Sequence, residues 1–219
     1  MKGDEISLLH DRARDYGISL TREQLNLFRI YLDELWDWNR RINLIGVSTR
    51  ERVVTELFLD TLVPANHLPK KGKMLDIGSG AGLPGLPLKI YNPQLKVDLL
   101  EVKSKKVSFL KHAVRLMKLK DIEIIQARVE NFERDAHRAE YDLVTARAFS
   151  GLGQTITQGS HLLVLGGLLI GFLGSRAEED LRENRKTIKK HGLVLHESIP
   201  YCLPGKRTGR RVLIFKKKT

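Results

Sequence analysis

Four glycines in the run LDIGSGAGLPGLPL, residues 75–88, stand where a backbone can open to a ligand: Gly78, Gly80, Gly82 and Gly85. Lacking a Cβ, each permits left-handed dihedrals and close approach of a bound group. Asp76 stands just ahead of them and Leu83 among them. A second acid, Glu101, follows the loop by about twenty residues, the distance at which a carboxylate accepts both hydroxyls of a ribose. Ala127, Arg128, Val129 and Glu130 come next, where backbone donors and apolar surface can flank an adenine, with Arg128 as a positioning group. Arg147, in TARAF at 145–149, can hold a cofactor, a phosphate or the edge of a base. The chemistry implied is binding of an adenosine-containing cofactor. Counted from Gly80, GAGLPG satisfies the dinucleotide fingerprint; counted from Asp76, DIGSGAG has the form of the nucleoside loop of methyltransferases. Asp76 favours the second, because a carboxylate there pairs through water with the ammonium of S-adenosylmethionine and repels a pyrophosphate. Glu101 is neutral between them, since both cofactors carry that ribose.

The elements that must position these residues follow from periodicity and caps. Residues 1–70 read as a helical cap. Leu25, Phe28, Leu32, Leu35 and Trp36 fall on one helical face, with Thr21 and Gln24 in the form of a capping box. Ser48 and Glu51 repeat that signature before RVVTELFLDTLV, a second amphipathic helix ending at Pro64. Residues 71–219 read as a Rossmann-like domain: MLDI, KVDLLE, IEIIQ, YDLVTA and LLIGFL are strands alternating with helices, among them VENFERDAHR and the single charged helix RAEEDLRENRKTIKKH. The apolar run LLVLGGLLIGFLG from Leu162 reads as a helix end, a turn and a buried strand. VLHESIPY and RRVLIFKK have no helix between them, so the last strand must run antiparallel to its partner. The predicted fold is α/β, a doubly wound sheet like that of class I S-adenosylmethionine methyltransferases, mostly parallel with the last strand antiparallel, carrying an N-terminal helical extension. Pro84 reads as an early-helix proline, and Gly85 as a close-packing residue.

The chain has 219 residues, 42% of them hydrophobic, and a formal net charge of +12. Acids and bases balance in residues 1–70. The excess lies beyond them: Lys103, Lys105, Lys106, Lys111, Arg115, Lys118 and Lys120 form a stretch without an acid, and Arg185–Lys218 is broken only by Glu197. Such a distribution implies a polyanionic partner, with Lys105, Lys106, Lys206, Arg207 and Arg210 as candidate phosphate contacts. Neither a signal-peptide core nor a membrane-length apolar run is present. The single cysteine, Cys202, excludes an internal disulfide and a cysteine-based zinc cluster and fits a reducing cytoplasm. No metal site is expected.

The acceptor can be narrowed by elimination. No D/N-P-P-Y/F tetrapeptide follows the fourth strand, which argues against an exocyclic adenine amine, and no cysteine is there to serve as nucleophile for a pyrimidine C5. A ring nitrogen with a free lone pair, such as guanine N7, needs neither device and can be methylated by alignment and electrostatics. Arg147 can instead be a purely structural partner of Glu101 or another sheet-end carboxylate.

WNRRINLIGVSTRE, FLDTLVP, LDIGSGAGLPGLPL, ARVENF, TARAF and PGKRTGRRVLIFKK, in that order, resemble the bacterial glucose-inhibited division protein B family, RsmG, over nearly the whole chain. The resemblance implies an S-adenosylmethionine-dependent methyltransferase that modifies guanine N7 in a hairpin loop of 16S ribosomal RNA, acting on RNA or the small subunit. Gly78, Leu83, Val129, Glu130 and Arg147 would contact the cofactor or line its site. Asn39 and Asn43 would order the N-terminal helices over it, on the RNA side. Two positions depart from the family. Glu56 and Leu57 replace an Arg-His pair, and Phe172-Leu173-Gly174 replaces a Leu-Lys-Gly turn; both remove positive charge from the acceptor side. A monomeric, cytoplasmic enzyme without membrane contact is expected. The rival readings are an RNA-binding protein of this fold without turnover, a dinucleotide-binding oxidoreductase, and a small-molecule methyltransferase.

Overall fold

In the computed structural model, which describes residues 4–132, 140–147 and 151–218, the chain opens with helices. Helix α1 (Glu5–Arg14) is capped by Asp4. Helix α2 (Arg22–Asn39) starts at the capping box: Thr21 Oγ1 accepts from Gln24 N at 3.2 Å and Gln24 Oε1 from Thr21 N at 2.8 Å. The next helix is capped by Thr49 rather than by Ser48, because Thr49 is the extended residue whose Oγ1 accepts from Arg52 N. It runs as α3 (Arg50–Val53), a π-helical turn (Val54–Phe58) and α4 (Leu59–Leu62).

From Gly72 strands and helices alternate: β1 (Gly72–Ile77), α5 (Gly85–Tyr91), β2 (Leu95–Leu100), α6 (Ser104–Leu116), β3 (Ile122–Ile125), α7 (Val129–Phe132), β4 (Tyr141–Ala146), α8 (Leu152–Gly159) and β5 (Leu163–Leu173). Helices α9 (Ala177–Glu183) and α10 (Arg185–Lys190) precede β6 (Leu193–Tyr201) and β7 (Arg210–Lys217). The rest of VENFERDAHR, residues 133–138, and Ala148 and Phe149 of TARAF lie outside the described residues. One seven-stranded sheet has the order β3-β2-β1-β4-β5-β7-β6. The first five strands are parallel; β7 pairs antiparallel with both β5 and β6, so the hairpin's second strand is the one inserted into the sheet.

Two expected elements differ in detail. Residues 163–165 are not a helix end but the start of β5, which survives Gly166 (φ +81) and Gly167 as a bulge, seen as a register shift opposite Tyr141 and Leu143. The charged helix after β5 is two helices, broken at Asn184 (φ −95, ψ 8), whose side-chain amide donates to Asp180 O and so satisfies a carbonyl at the break. Pro84 sits at the N-cap of α5, one residue ahead of the helix proper.

Alternation along the strands sends successive side chains to opposite faces. Met74 joins Phe28, Tyr31, Phe58, Leu86 and Phe109 in one core, and Leu75 joins Val144, Ile156, Leu169 and Phe215 in the other. The N-terminal helices thus share a core with one face of the sheet, which brings them over the carboxyl ends of β1 and β2.

Candidate cofactor cleft and acceptor edge

The glycine loop joins β1 to α5 at the point where strand order reverses between β1 and β4, the place where open α/β sheets bind ligands. Gly78, Gly80 and Gly82 have φ of +68, +59 and +89. A Cβ at Gly82 would lie 2.5 Å from Leu86 Cδ1, so that glycine is required by packing as well as by dihedral. Gly85 is a close-packing residue, as its sequence context indicates: a Cβ there would meet Leu99 Cδ2 at 2.4 Å and Asp76 Oδ2 at 2.9 Å.

Six amides of the loop and the first turn of α5 are engaged within the protein. Ser79 N donates to Leu100 O, Gly80 N to Glu101 Oε2, Gly82 N and Leu83 N to Ser79 O, Gly85 N to Asp76 Oδ2 and Leu86 N to Gly82 O. Pro84 has no N–H to give. A pyrophosphate is held by free amides at a helix N-terminus; here the amides at the start of α5 are spent on Asp76 and Gly82, and a carboxylate lies beneath them. The loop suits a nucleoside without phosphates.

Asp76 therefore acts differently from the sequence expectation of a water-bridged contact with an ammonium. It is fully buried, with Oδ1 accepting from Thr145 Oγ1 at 2.9 Å and Oδ2 from Gly85 N at 3.1 Å. Burial pushes its carboxyl up to about 7, against the opposing pull of the Thr145 and Gly85 hydrogen bonds. Asp76 braces β1 to β4 and to the start of α5. Its even-numbered neighbour Met74 faces the same core, which is why an acid at this position points inward.

Glu101 is buried just past β2. Oε2 accepts from Gly80 N at 2.9 Å and Oε1 from Lys103 N at 2.8 Å. Each carboxylate oxygen has two lone pairs, so each keeps room for one more donor, which is what a vicinal diol requires. Beyond β3, Ala127 is half-buried and Val129 buried, while Arg128 is exposed and its carbonyl accepts from Asn131 N and Phe132 N to start α7. Glu130 Oε1 accepts from Gln158 Nε2 at 3.0 Å. Leu83 packs against the core at the loop's end.

The cap reaches the loop through Tyr31, which no motif signals. Its hydroxyl donates to Ala81 O at 2.5 Å, its ring stacks on Phe58 at 4.9 Å between centroids, and burial drives its pKa well up. Asn39 is an internal cap: Oδ1 accepts from Leu44 N and Ile45 N at 2.8 and 2.9 Å, shaping the turn that carries exposed Asn43. Asn43, Arg41, Lys103, Lys105 and Lys106 line a cleft of about 620 Å³ beside the β2 end.

On the other side of the switch point lies a second cleft, the candidate acceptor edge, of about 430 Å³ and lined by Asp60, Arg147, Phe172, Tyr201 and Arg210. Among the described residues, Arg147 pairs with neither Glu101 nor another sheet-end acid. Its partner is Asp60 on α4, at 2.9 Å from Nη2. Lys206, from the β6–β7 loop, pairs with Glu56 at 3.0 Å, and Arg207 is exposed nearby in sequence. The hydrogen bond from Arg52 holds the Glu56 carboxyl below its ordinary range; burial opposes this and Lys206 adds to it. Asp60 escaped motif reasoning, though an acid inside the apolar run FLDTLV is a signal that could have found it.

A family profile described as rRNA small subunit methyltransferase G matches residues 24–209. A protein of Roseiflexus castenholzii named Ribosomal RNA small subunit methyltransferase G is 37% identical over 206 residues, 93% of this chain and 88% of that one. Its namesake in Thermotoga neapolitana is 36% identical over 215 residues, 98% and 91% of the two chains. Among solved structures, P. horikoshii TYW2 in complex with MeSAdo aligns with a TM-score of 0.59 at 16% identity, over 80% of this chain and 65% of that one, a likeness of fold.

Proposed function

We infer the reaction from this premise: the chain belongs to the rRNA small subunit methyltransferase G family. The function supported best is methyl transfer from S-adenosylmethionine to guanine N7 in 16S ribosomal RNA of the small subunit. The observation that carries the cofactor is the glycine loop, most of whose amides are bonded within the protein beside a Glu101 with two open acceptor positions.

Bound there, S-adenosylmethionine supplies an electrophilic methyl group on a cationic sulfur. Glu101 orients the ribose through its remaining lone pairs, and the Ala127–Val129 backbone with Leu83 flanks the adenine. Gly78 keeps the β1 end open to the amino-acid arm. Guanine N7 carries a lone pair and no proton, so attack needs no general base, and the chain's task is to align the base and exclude water. Arg147 stands at the β4 end to position the reacting partners, and Lys105, Lys106, Lys206, Arg207 and Arg210 take RNA phosphates on the two sides of the mouth. Among the described residues no helix is long and apolar enough to cross a membrane. We take the working form to be a cytoplasmic monomer.

Isothermal titration with S-adenosylhomocysteine at up to near-millimolar concentration should show one site; no heat of binding would overturn the cofactor assignment. Mass spectrometry of ribosomal RNA from a deletion strain should show the loss of a single 7-methylguanosine. A second reading, an RNA-binding protein without turnover, is favoured by one observation: Glu56 sits where the family carries a base and neutralises Lys206 and Arg52. An unchanged methylation map would select it.

A further inference from the structure

One buried carboxylate at the acceptor edge gathers groups from three distant parts of the chain. Asp60 is 0% exposed. Its Oδ1 accepts from the Tyr201 hydroxyl at 2.6 Å and from Arg210 Nη1 at 2.9 Å. Its Oδ2 lies 2.9 Å from Arg147 Nη2 and has no hydrogen bond of acceptable angle. The Arg147 guanidinium is also held by the helix that carries Asp60: Nη2 donates to Glu56 O at 2.9 Å, and Nη1 to Leu57 O at 3.4 Å and Thr61 Oγ1 at 3.5 Å. The π-helical turn at Val54–Phe58 explains why. Pairing to the fifth residue widens the helix and turns carbonyls at its end toward outside donors.

An acid without exposure between two arginines is expensive to desolvate, and an apolar residue in its place is commonly neutral or better for stability. Stability alone therefore gives a poor account of Asp60. Its place gives a better one. Arg147 is the first residue past β4, where the acceptor segment begins, and its side chain is 14% exposed along the cleft. A buried carboxylate oxygen with its ion partner at contact distance but badly angled is a pair that can tighten once a ligand fixes the arginine.

We propose that Asp60 is a positioning residue for methyl transfer, which holds the Arg147 guanidinium against α4 so that it faces the acceptor in one orientation. This rests on the methyltransferase reading above. The ties to Tyr201 and Arg210 hold the carboxylate itself in place.

The test uses the full chain with small-subunit RNA and S-adenosylmethionine, measuring kcat, KM for RNA, S-adenosylhomocysteine affinity and Tm for three variants. Asp60→Asn keeps the shape and removes the charge; kcat should fall more than tenfold with cofactor affinity within twofold. Tyr141→Phe removes a buried hydrogen bond to Asp98, 2.7 Å long, at the opposite end of β4 from Arg147; Tm should drop while kcat stays within twofold. If both variants lose kcat in proportion to their loss of Tm, or if Asp60→Asn retains kcat, the assignment is overturned. Should Asp60→Asn fail to fold, Thr61→Val removes one Arg147 contact at constant volume. Thr61 Oγ1 also donates to Leu57 O at 2.7 Å, so Tm should fall slightly; kcat should fall about threefold at unchanged S-adenosylhomocysteine affinity, and an unchanged kcat overturns the proposal. An inactive wild-type chain that binds no S-adenosylhomocysteine would instead remove the functional reading, and this proposal with it.

Discussion

On the β1–β2 side of the cleft, contacts are short in sequence: Gly85 reaches back nine residues to Asp76, and Gly80 reaches forward 21 to Glu101. On the acceptor side, Asp60 meets groups 141 and 150 residues away. The first region is held by short-range backbone hydrogen bonds, with most loop amides paired and its glycines wedged against Leu86 and Leu99. The second is a set of ion pairs with one carboxylate oxygen left without a hydrogen bond. A cofactor that is the same in every turnover can be met by a rigid, locally encoded cradle. On the reading proposed above the acceptor is a large, charged RNA, and cations set to meet it need partners before it arrives.

The sharpest way to break this comparison is one substitution made on both sides. Gly82→Ala combines φ +89 with a Cβ 2.5 Å from Leu86 and should cost about 1–3 kcal/mol or more in urea unfolding and abolish S-adenosylhomocysteine binding. Gly205→Ala, in the β6–β7 loop, has φ +73 but open space around the new Cβ, and should cost only about 1 kcal/mol with the cofactor still bound. Equal losses would show that the cofactor side is no tighter than the acceptor side. Next in size, Glu101→Gln replaces a carboxylate that accepts on both oxygens with a group that accepts on one. S-adenosylhomocysteine affinity should fall by about 1.5–3 kcal/mol, roughly ten- to a hundredfold by calorimetry, while Arg147 variants leave it less affected.

Asp76 sharpens the contrast through pH. Its pKa is raised from 3.8 to about 7, so between those values the folded chain keeps a proton that the unfolded chain releases. Stability from this group therefore falls as pH rises across that window and is level above it. Relative to wild type, Asp76→Asn should gain on the order of 2 kcal/mol between pH 5 and pH 8 in urea titrations. No relative gain would mean that the carboxyl ionises normally. The smallest effect belongs to the surface pairs. Glu56→Gln frees Lys206 and Arg52, with a change in stability of about 0–1 kcal/mol, yet it should steepen the salt dependence of RNA binding by about one counterion. Lys105→Glu with Lys106→Glu should flatten it, and an unchanged slope would move the RNA away from the β2-side cleft.

Much of the cofactor side was legible because its signals are local. The glycine spacing, the acid after β2 and the capping box at Thr21 each lie within one or two elements, and all stand where the sequence places them. The errors came from competition between neighbours. Thr49 displaced Ser48 as a cap because backbone dihedrals, not residue type, choose between adjacent hydroxyls. The two glycines at 166–167 made a bulge because the β4 and β7 ladders hold β5 on both sides and keep it a strand through the irregularity. Asp76 was read as facing a ligand, whereas strand alternation buries it with Met74.

By itself the sequence determined the alternation of strands and helices, the antiparallel ending, the opening of the β1 loop and the placing of positive charge beyond residue 70. These follow from periodicity, from glycine's freedom at positive φ and from simple counting. Only the tertiary structure decided that β7 lies between β5 and β6, that the amides at the start of α5 are spent on Asp76 and Gly82, and that Arg147 answers to Asp60. The reason is physical. A hydrogen bond or ion pair between residues far apart in the chain leaves no periodic trace in either segment, and it exists only once two cores have packed and closed the distance.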